Sequence, residues 1–567
     1  MFKILELLDN NEKKKLTIII FLLVFLGVAE SLTFFFLHPI SNYFSDNEYN
    51  FQIPFLKNFL IFNLNILHLL GLFLFFFTLR FFLIIIVAYR KTALVKNIND
   101  NLSNKIFSYY IHKEYQFYIN NSNSKFLSNT TLEVEKFSYR VIDCYIGLIT
   151  EIFLVSGVLA FLFIMYFYVS LLLFFISILF FIITYNLYKY KFKFIGNIKV
   201  QNDAYKIDIL QKSFYIIQNI KLDNLEDFFI NKFKKNTENS SKSQFLLSYL
   251  SELPKPIIEF FVLFVVLGLV FFLYSHLNIN KQGIVSILII YGVAMFRILP
   301  SLSRIFAYLN QIKFHYSTTE VIGDIIQDKS FIKNINLVQK QYLGFKKNIK
   351  IDNVSFKYEK SDCYTLKNIN LIINKNEIIG IAGHSGSGKS TLLNLLCFLL
   401  KPTEGKIFVD DEPLENIYKL FQPKIGYVPQ KIYLTDGSVI ENVILGKSKD
   451  SYNYEIFKNV IDICGLTNLI NNLQDKENSL IGERGTKLSG GQQQRLGLAR
   501  ALYKEPDIII LDEATNALDE ESEKEILKVI KNLTKKTTII LVSHKESVLH
   551  ISERIFEIKN SQITQIK

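Results

Sequence analysis

Gly383-His384-Ser385-Gly386-Ser387-Gly388-Lys389-Ser390-Thr391 has the form G-x-x-x-x-G-K-[ST], and its neighbours give the pattern a structural place. The apolar run Glu377-Ile378-Ile379-Gly380-Ile381-Ala382 before it reads as a strand, and Leu392-Leu393-Asn394-Leu395-Leu396 after it reads as a helix. A strand, a glycine-rich loop and a helix in that order make a phosphate cradle. The glycines let backbone N–H groups turn inward, and the helix N-terminus adds its positive dipole end. In such a loop Lys389 reaches the β- and γ-phosphates and Ser390 reaches Mg²⁺. Gly383, Ser385, Gly386, Ser387, Gly388, Lys389, Ser390 and Thr391 are therefore the first candidate nucleotide-binding residues.

Leu488-Ser489-Gly490-Gly491-Gln492 is a second phosphate-facing motif of a rarer kind. The pair resembles the nucleotide-binding domain of ATP-binding-cassette (ABC) proteins, over about residues 345–567. In that family each P-loop is closed by the second motif of a partner domain. The resemblance implies ATP and Mg²⁺ as cofactors, with Ser489, Gly490, Gly491 and Gln492 contacting nucleotide across a dimer. The family's other motifs follow in order. Ile508-Ile509-Ile510-Leu511-Asp512 is a buried strand ending in a carboxylate suited to hold Mg²⁺, directly or through water. The next residue, Glu513, matches the glutamate that polarises the attacking water, a general-base role. His544, after the apolar run 538–542, resembles the switch histidine at the γ-phosphate. Gln430, in Gly426-Tyr427-Val428-Pro429-Gln430, resembles the glutamine that senses Mg²⁺ and the transport domain. Tyr358 resembles the aromatic that stacks on adenine, although its alternating surroundings equally suit a core residue. Asn516-Ala517-Leu518-Asp519 resembles the dimer-contacting loop, with Asn516 for the usual Ser, and Gly482-Glu483-Arg484-Gly485 the segment that touches membrane loops. His384 occupies a slot where relatives usually carry Pro or Glu.

Composition says where this ATPase sits. Half of the 567 residues are hydrophobic, with 52 Phe, 30 Tyr and no Trp, an excess confined to roughly the first 335. Apolar runs near 16–40, 59–87, 146–169, 171–187, 257–273 and 284–298 have the length of membrane helices, with a tight external turn expected around 166–170. Lys3, Lys13, Lys14 and Lys15 precede the first run, and the long segments 90–140 and 189–242 are Lys-rich, whereas 42–57 and 276–282 are nearly free of Lys and Arg. By the positive-inside rule both termini are cytoplasmic. Turns at 115–121 and 214–224 are candidates for contact with the ATPase. Gly27-Val28-Ala29 mimics a signal-cleavage site, but the apolar run resumes at Leu32 and cleavage would strand the cassette outside.

The net charge of +12 fits cytoplasmic loops facing anionic lipid, and no nucleic-acid partner is expected. Cys144, Cys363, Cys397 and Cys464 lack metal spacing and should be free thiols. The expected fold is a membrane α-helical domain of six transmembrane helices, of the ABC exporter type, fused to an α/β P-loop ATPase domain. Residues 1–328 form the transmembrane domain, 329–350 a linker and 351–567 the nucleotide-binding domain. One cassette cannot complete an ATP site, so a dimer in the cytoplasmic (inner) membrane follows from the resemblance; Glu513, His544 and Leu488 to Gln492 all match the active pattern, which favours a homodimer over a heterodimer with one decayed site.

Intramembrane charge points to the substrate. Glu30, Glu151, Arg80 and Arg297 fall in or near the apolar runs, where Arg or Asp at a helix centre costs about 2.5–3.5 kcal/mol. Arg297 and Arg304 lie seven apart on one helical face, with Lys255 on the preceding helix. They either line a cavity or pair with the glutamates, Arg80 snorkelling to the interface. The stretches Phe296-Arg297-Ile298-Leu299-Pro300-Ser301-Leu302-Ser303-Arg304-Ile305 and Phe314-His315-Tyr316-Ser317-Thr318 look like the sixth-helix region of the lipid-linked oligosaccharide flippases of bacterial N-glycosylation, the Pgl pathway. That resemblance implies that Arg80, Arg297 and Arg304 attract a pyrophosphate-oligosaccharide head. Lys255 stands where those flippases have arginine, keeping the charge but losing the bidentate fork. It also implies a short external helix, for which 50–58 is the candidate, with Pro54 against regularity. A lipid A, peptide or multidrug exporter is the alternative.

Overall fold

Long runs of Leu, Ile and Phe build long helices. In the computed structural model all residues are described except 1–6, 47–65, 166, 254, 258, 261–280, 329–343, 360, 448–451, 483–484, 516–519 and 534–535. Two units divide the chain, residues 1–113 with 118–335, and residues 114–117 with 336–567.

The first unit is helical, with α1 (Asn10–Asp46), α2 (Ile66–Ile111), α3 (Asp143–Met165), α4 (Phe167–Tyr215), α5 (Glu226–Glu252) and α6 (Lys281–Phe314) as its long elements. The 46 residues of α2 extend about 69 Å at 1.5 Å per residue, more than twice a hydrocarbon core of about 30 Å. It therefore continues well beyond the bilayer. Among the described residues four stretches are long and apolar enough to cross a membrane: Asn10–Ile40, Ile66–Ile111, Asn123–Ile164 and Tyr291–Phe314. The expected span at 171–187 lies within α4, while most of 257–273 and all of the external segment 50–58 fall outside the described residues. Of the turn expected over 166–170, Phe167 to Ser170 instead belong to α4, since they contain no helix breaker, and residue 166 lies outside the described residues. Short helices Tyr115–Asn120 and Ile217–Leu222 occupy the two candidate contact turns. Leu67, Leu74, Phe75, Phe81 and Phe82 of α2 are exposed, an apolar surface that suits lipid.

Small residues set the helix spacing. A Cβ on Gly157 of α3 would stand 2.3 Å from the Gly27 carbonyl of α1, so these backbones touch as only glycines permit. Glu30, one turn on from Gly27, is fully buried as a result. Elsewhere a polar strut joins distant segments. Lys136 Nζ donates to Glu133 Oε1 and Asp203 Oδ2, both at 2.8 Å, and Thr318 and Ser240 donate to the same two carboxylates at 2.6 and 2.8 Å.

Among its described residues the second unit contains ten strands in two sheets. β1 (Asn348–Phe356), β2 (Leu366–Asn374), β4 (Glu404–Val409) and β5 (Glu412–Pro413) form an antiparallel sheet, ordered β2-β1-β4-β5. The other, ordered β10-β9-β3-β8-β7-β6, contains β3 (Ile378–Ala382), β6 (Ile425–Val428), β7 (Ile508–Asp512), β8 (Thr538–Val542), β9 (Arg554–Lys559) and β10 (Gln562–Gln565). β7 and β8 are buried at every position, as central parallel strands covered on both faces must be. β1 takes up the last three residues of the expected linker. Burial raises the thiols of Cys397 and Cys464 to about 12, and all four cysteines are free.

Replacing Lys136 with Met would leave Glu133 and Asp203 facing each other without their shared cation. Breaking such a buried pair costs about 3–5 kcal/mol. The variant is expected to unfold at a clearly lower temperature in detergent, measured by scanning fluorimetry; an unchanged midpoint would contradict the strut.

Candidate nucleotide and cavity sites

The strand order places the C-terminal ends of β3, β8, β7 and β6 side by side, the edge at which open α/β sheets bind ligands. After β3 the chain turns through Gly383, Gly386 and Gly388, all in the left-handed region, with φ of +148°, +79° and +106°. It then enters α7 (Lys389–Leu396). Lys389 Nζ donates to the Gly383 and His384 carbonyls at 2.7 and 3.0 Å and lies 3.1 Å from His544 Nε2. Burial lowers the Lys389 ammonium's affinity for its proton, against the pull of Glu513 and Asp512. Ser387 Oγ is out of solvent and has no hydrogen-bond partner among the described residues, which fits a loop shaped for phosphate oxygens. Ser385 and Ser390 are exposed, and Thr391 is buried.

Glu513 sits at the junction of three strand ends. Its φ of +52° is in the left-handed region, rare for a residue with a side chain. Its N–H donates to the Val542 carbonyl at 2.9 Å, anchoring that turn to the end of β8. Its Oε2 accepts from Gln430 Nε2 at 2.6 Å, and its Oε1 lies 2.9 Å from His544 Nε2. A carboxylate held this way, close to the P-loop lysine, has the geometry to take a proton from a water at a bound triphosphate.

Asp512 beside it is nearly buried. Burial raises its carboxyl above the ordinary range and the Glu513 charge adds to this, while Tyr427, Lys389 and Ser390 oppose it. Tyr427 donates to Asp512 Oδ2 at 3.2 Å. Among the described residues no three His, Cys, Asp or Glu side chains cluster as a metal cage. The donors present, the Ser390 hydroxyl, the Asp512 carboxylate and the Gln430 amide, are hard oxygens. That set suits Mg²⁺, which binds through one or two carboxylates together with substrate phosphates.

Ser489 caps α8 (Gly490–Leu502) through a reciprocal box: its Oγ accepts from Gln492 N–H at 3.3 Å, and Gln492 Oε1 accepts from Ser489 N–H at 2.9 Å. Gln492 thus shapes the motif from within. Ser489 and Gly490 are exposed and Gly491 half-buried, so the helix N-terminus is open to an outside anion. The half-buried Tyr358 shares a hydrogen bond with Thr391 Oγ1 at 3.1 Å and meets Phe356 edge-on at 5.0 Å, next to the P-loop helix yet packed on the core. Asn516 to Asp519, Glu483 and Arg484 lie outside the described residues. Arg500 carried no motif in the sequence. It donates to the Tyr433 and Asn442 carbonyls at 2.8 and 2.7 Å, bracing the loop beyond Gln430.

In the first unit, the arginines and glutamates find each other. Glu30 lies 2.5 Å from Arg80 Nε and 2.7 Å from Arg297 Nε. Glu151 takes two bonds from Arg304, at 2.6 and 3.0 Å. Arg80 is therefore tied to Glu30 inside the unit instead of snorkelling. A cavity of about 260 Å³ is lined by Leu26, Ile84, Glu151, Arg297, Arg304 and Tyr308 among others. Arg80 is not in the lining. Lys255 is exposed and is not in this lining either.

The family model described as ABC transporter transmembrane region matches residues 16–299, and the one described as ABC transporter matches 366–516. The chain is 25% identical over 473 residues to a multidrug resistance ABC transporter ATP-binding and permease protein of Lactococcus lactis, covering 83% of this chain and 78% of that one. It is 28% identical over 489 residues to an ATP-dependent lipid A-core flippase of Wigglesworthia glossinidia brevipalpis, covering 84% and 81%. It is 32% identical over 292 residues to an alpha-hemolysin translocation ATP-binding protein of Escherichia coli O157:H7, covering 51% and 41%. Its fold matches the structure of a bacterial Atm1-family ABC exporter with ATP bound, at a TM-score of 0.80 and 17% identity over 98% of this chain and 95% of that one.

Glu513→Gln keeps the side chain's size and removes its basicity. ATP turnover of the purified variant is expected to fall by about 10²-fold or more while ATP binding, measured by equilibrium dialysis, is retained. Turnover near that of the parent chain would take Glu513 out of the water-activating position.

Proposed function

Because this chain belongs to the ABC transporter family, a transmembrane region joined to one ATP-hydrolysing domain, we propose that it flips or exports a lipid-linked oligosaccharide or related anionic amphiphile across the cytoplasmic membrane. In this reading both termini and the ATPase are cytoplasmic. Gly383, Ser385, Gly386, Ser387, Gly388, Lys389 and Thr391 hold the triphosphate, with Tyr358 at the adenine. Ser390, Asp512 and Gln430 hold Mg²⁺, which supplies charge neutralisation at the phosphates when bound. Glu513 takes the water's proton and His544 faces the γ-phosphate. Two copies act together, since the open N-terminus at Ser489, Gly490 and Gly491 needs a phosphate from a facing P-loop.

One observation carries the substrate class: the cavity joins excess positive charge to apolar wall. Lys91 also lines it, 3.0 Å from Asp143. In the lining Lys91, Arg297 and Arg304 make three cations against the anion Glu151; the groups paired with them outside the lining, Asp143, Glu30 and Arg80, add two anions and one cation, so the whole cluster carries a net +1 within one protomer. Leu26, Ile84 and Leu154 complete the wall. Anionic heads with apolar tails suit this surface, and cationic drugs do not. A lipid A-like molecule shares that chemistry, and the name of the Wigglesworthia relative favours it as the second reading.

Proteoliposomes loaded with a pyrophosphate-linked glycolipid, with lipid A or with a cationic dye separate these readings. Arg297→Gln leaves Glu30 paired with Arg80, so the protein should keep its unfolding temperature while flipping of the preferred anionic lipid falls about tenfold. In Arg80→Gln/Arg297→Gln the buried Glu30 loses both partners, at a cost of about 3–5 kcal/mol, and yield and stability should drop. Unaltered flipping by a folded Arg297→Gln variant, or transport of the dye alone, would contradict the reading.

A further inference from the structure

One side chain in the nucleotide site is unexplained by the motif that contains it. In Gly426-Tyr427-Val428-Pro429-Gln430 only Gln430 has an expected task, yet it is Tyr427 that touches the carboxylate ending β7. β6 runs parallel to β7 with Tyr427 opposite Ile510 and Val428 opposite Leu511. Alternate side chains of a strand share a face, so Asp512, two residues beyond Ile510, lies on the Tyr427 side. Strand side chains also lean along the strand. The phenol therefore reaches one step forward, and its oxygen comes within 3.2 Å of Asp512 Oδ2.

The ring and the hydroxyl have separate work. The ring packs on the cluster that includes Leu393, Cys397, Ile508 and Ile510, beneath the P-loop helix. A Phe would fill that space equally well. The hydroxyl alone meets the carboxylate, at Oδ2, and Ser390 bonds to the same carboxylate. Asp512 is only 8% exposed, so water has little access to take the hydroxyl's place. A carboxylate free to rotate about its last bond would offer its oxygens in many directions, whereas Mg²⁺ demands near-octahedral geometry at about 2.0–2.1 Å and tolerates little error.

We propose that Tyr427 is a positioning residue for metal use in ATP hydrolysis: its hydroxyl holds Oδ2 of Asp512 and so fixes the carboxylate's orientation toward Mg²⁺. This rests on the reading that Asp512 holds the metal. Partners behind a metal ligand commonly alter metal affinity by about 10–100-fold when removed, and a neutral phenol falls at the low end of that range.

The test uses the full-length chain in detergent or nanodiscs, comparing the parent, Tyr427→Phe and Asp512→Asn. Two readouts report the metal: the free Mg²⁺ at half-maximal ATPase, and Mn²⁺ retained in the presence of a non-hydrolysable ATP analogue, counted from the loss of the free-ion electron paramagnetic resonance signal. For Tyr427→Phe the Mg²⁺ requirement should rise about tenfold, the deficit should shrink as Mg²⁺ is raised, and Mn²⁺ retention should weaken by a similar factor. The metal-free unfolding temperature should stay that of the parent. Unchanged Mg²⁺ and Mn²⁺ curves overturn the proposal, and so does a lowered metal-free unfolding temperature with unchanged metal dependence, which would make Tyr427 a core contact only. Asp512→Asn should abolish Mn²⁺ retention. If it retains Mn²⁺ like the parent, the metal-holding reading beneath the proposal fails, whatever Tyr427→Phe does.

Discussion

Glu513 is gripped from two strand ends at once, and the chemistry of the nucleotide site depends on that grip. Gln430 reaches it at 2.6 Å from beyond β6 and His544 approaches to 2.9 Å from beyond β8, while its own backbone is bonded to Val542. Such convergence needs parallel strands in the right order, with interiors apolar enough to stay buried. β7 and β8 meet that need at every position. The left-handed backbone at Glu513 costs of order 1–3 kcal/mol, a strain that persists because the surrounding sheet over-determines it. The site is thus rigid where proton transfer needs aim, and open where phosphate enters, at Ser385, Ser390 and the exposed Gln430.

The membrane unit solves a different electrostatic problem. Glu30 is fully buried and would be costly alone, yet Arg80 and Arg297 together overcompensate it. The excess charge suits the anionic substrate class proposed above, and the carboxylate is what lets two guanidinium groups lie close together. The counter-ion that joins these helices also holds the arginines in place.

The nucleotide site was largely legible in the sequence because each of its groups follows a strand or opens a helix, a local requirement written in local pattern. Asp512, Glu513, His544 and Lys389 could be placed by counting from the ends of apolar runs. The ion pairs could not be placed that way. Arg297 meets Glu30 across 267 positions and Arg304 meets Glu151 across 153, distances over which only helix packing decides. Lys255 looked equivalent to the arginines by charge, but its exposure separates it from them. The Lys136 strut was hidden inside a Lys-rich segment that reads as solvated loop, and Tyr427 was hidden because an aromatic in a strand reads as core. Its ring is core; only its oxygen is not.

In the proposed dimer each ATP site is shared by two copies of this chain, Lys389 from one and Ser489 from the other. Mixed dimers carrying Ser489→Arg and Lys389→Ala test it most directly, with ATP occupancy measured in both arrangements. With the two changes on opposite protomers, both fall in one site and the other stays intact, so about half of the occupancy should remain. With both changes on one protomer, each site is damaged and occupancy should collapse. Equal occupancy in the two arrangements would contradict the shared site.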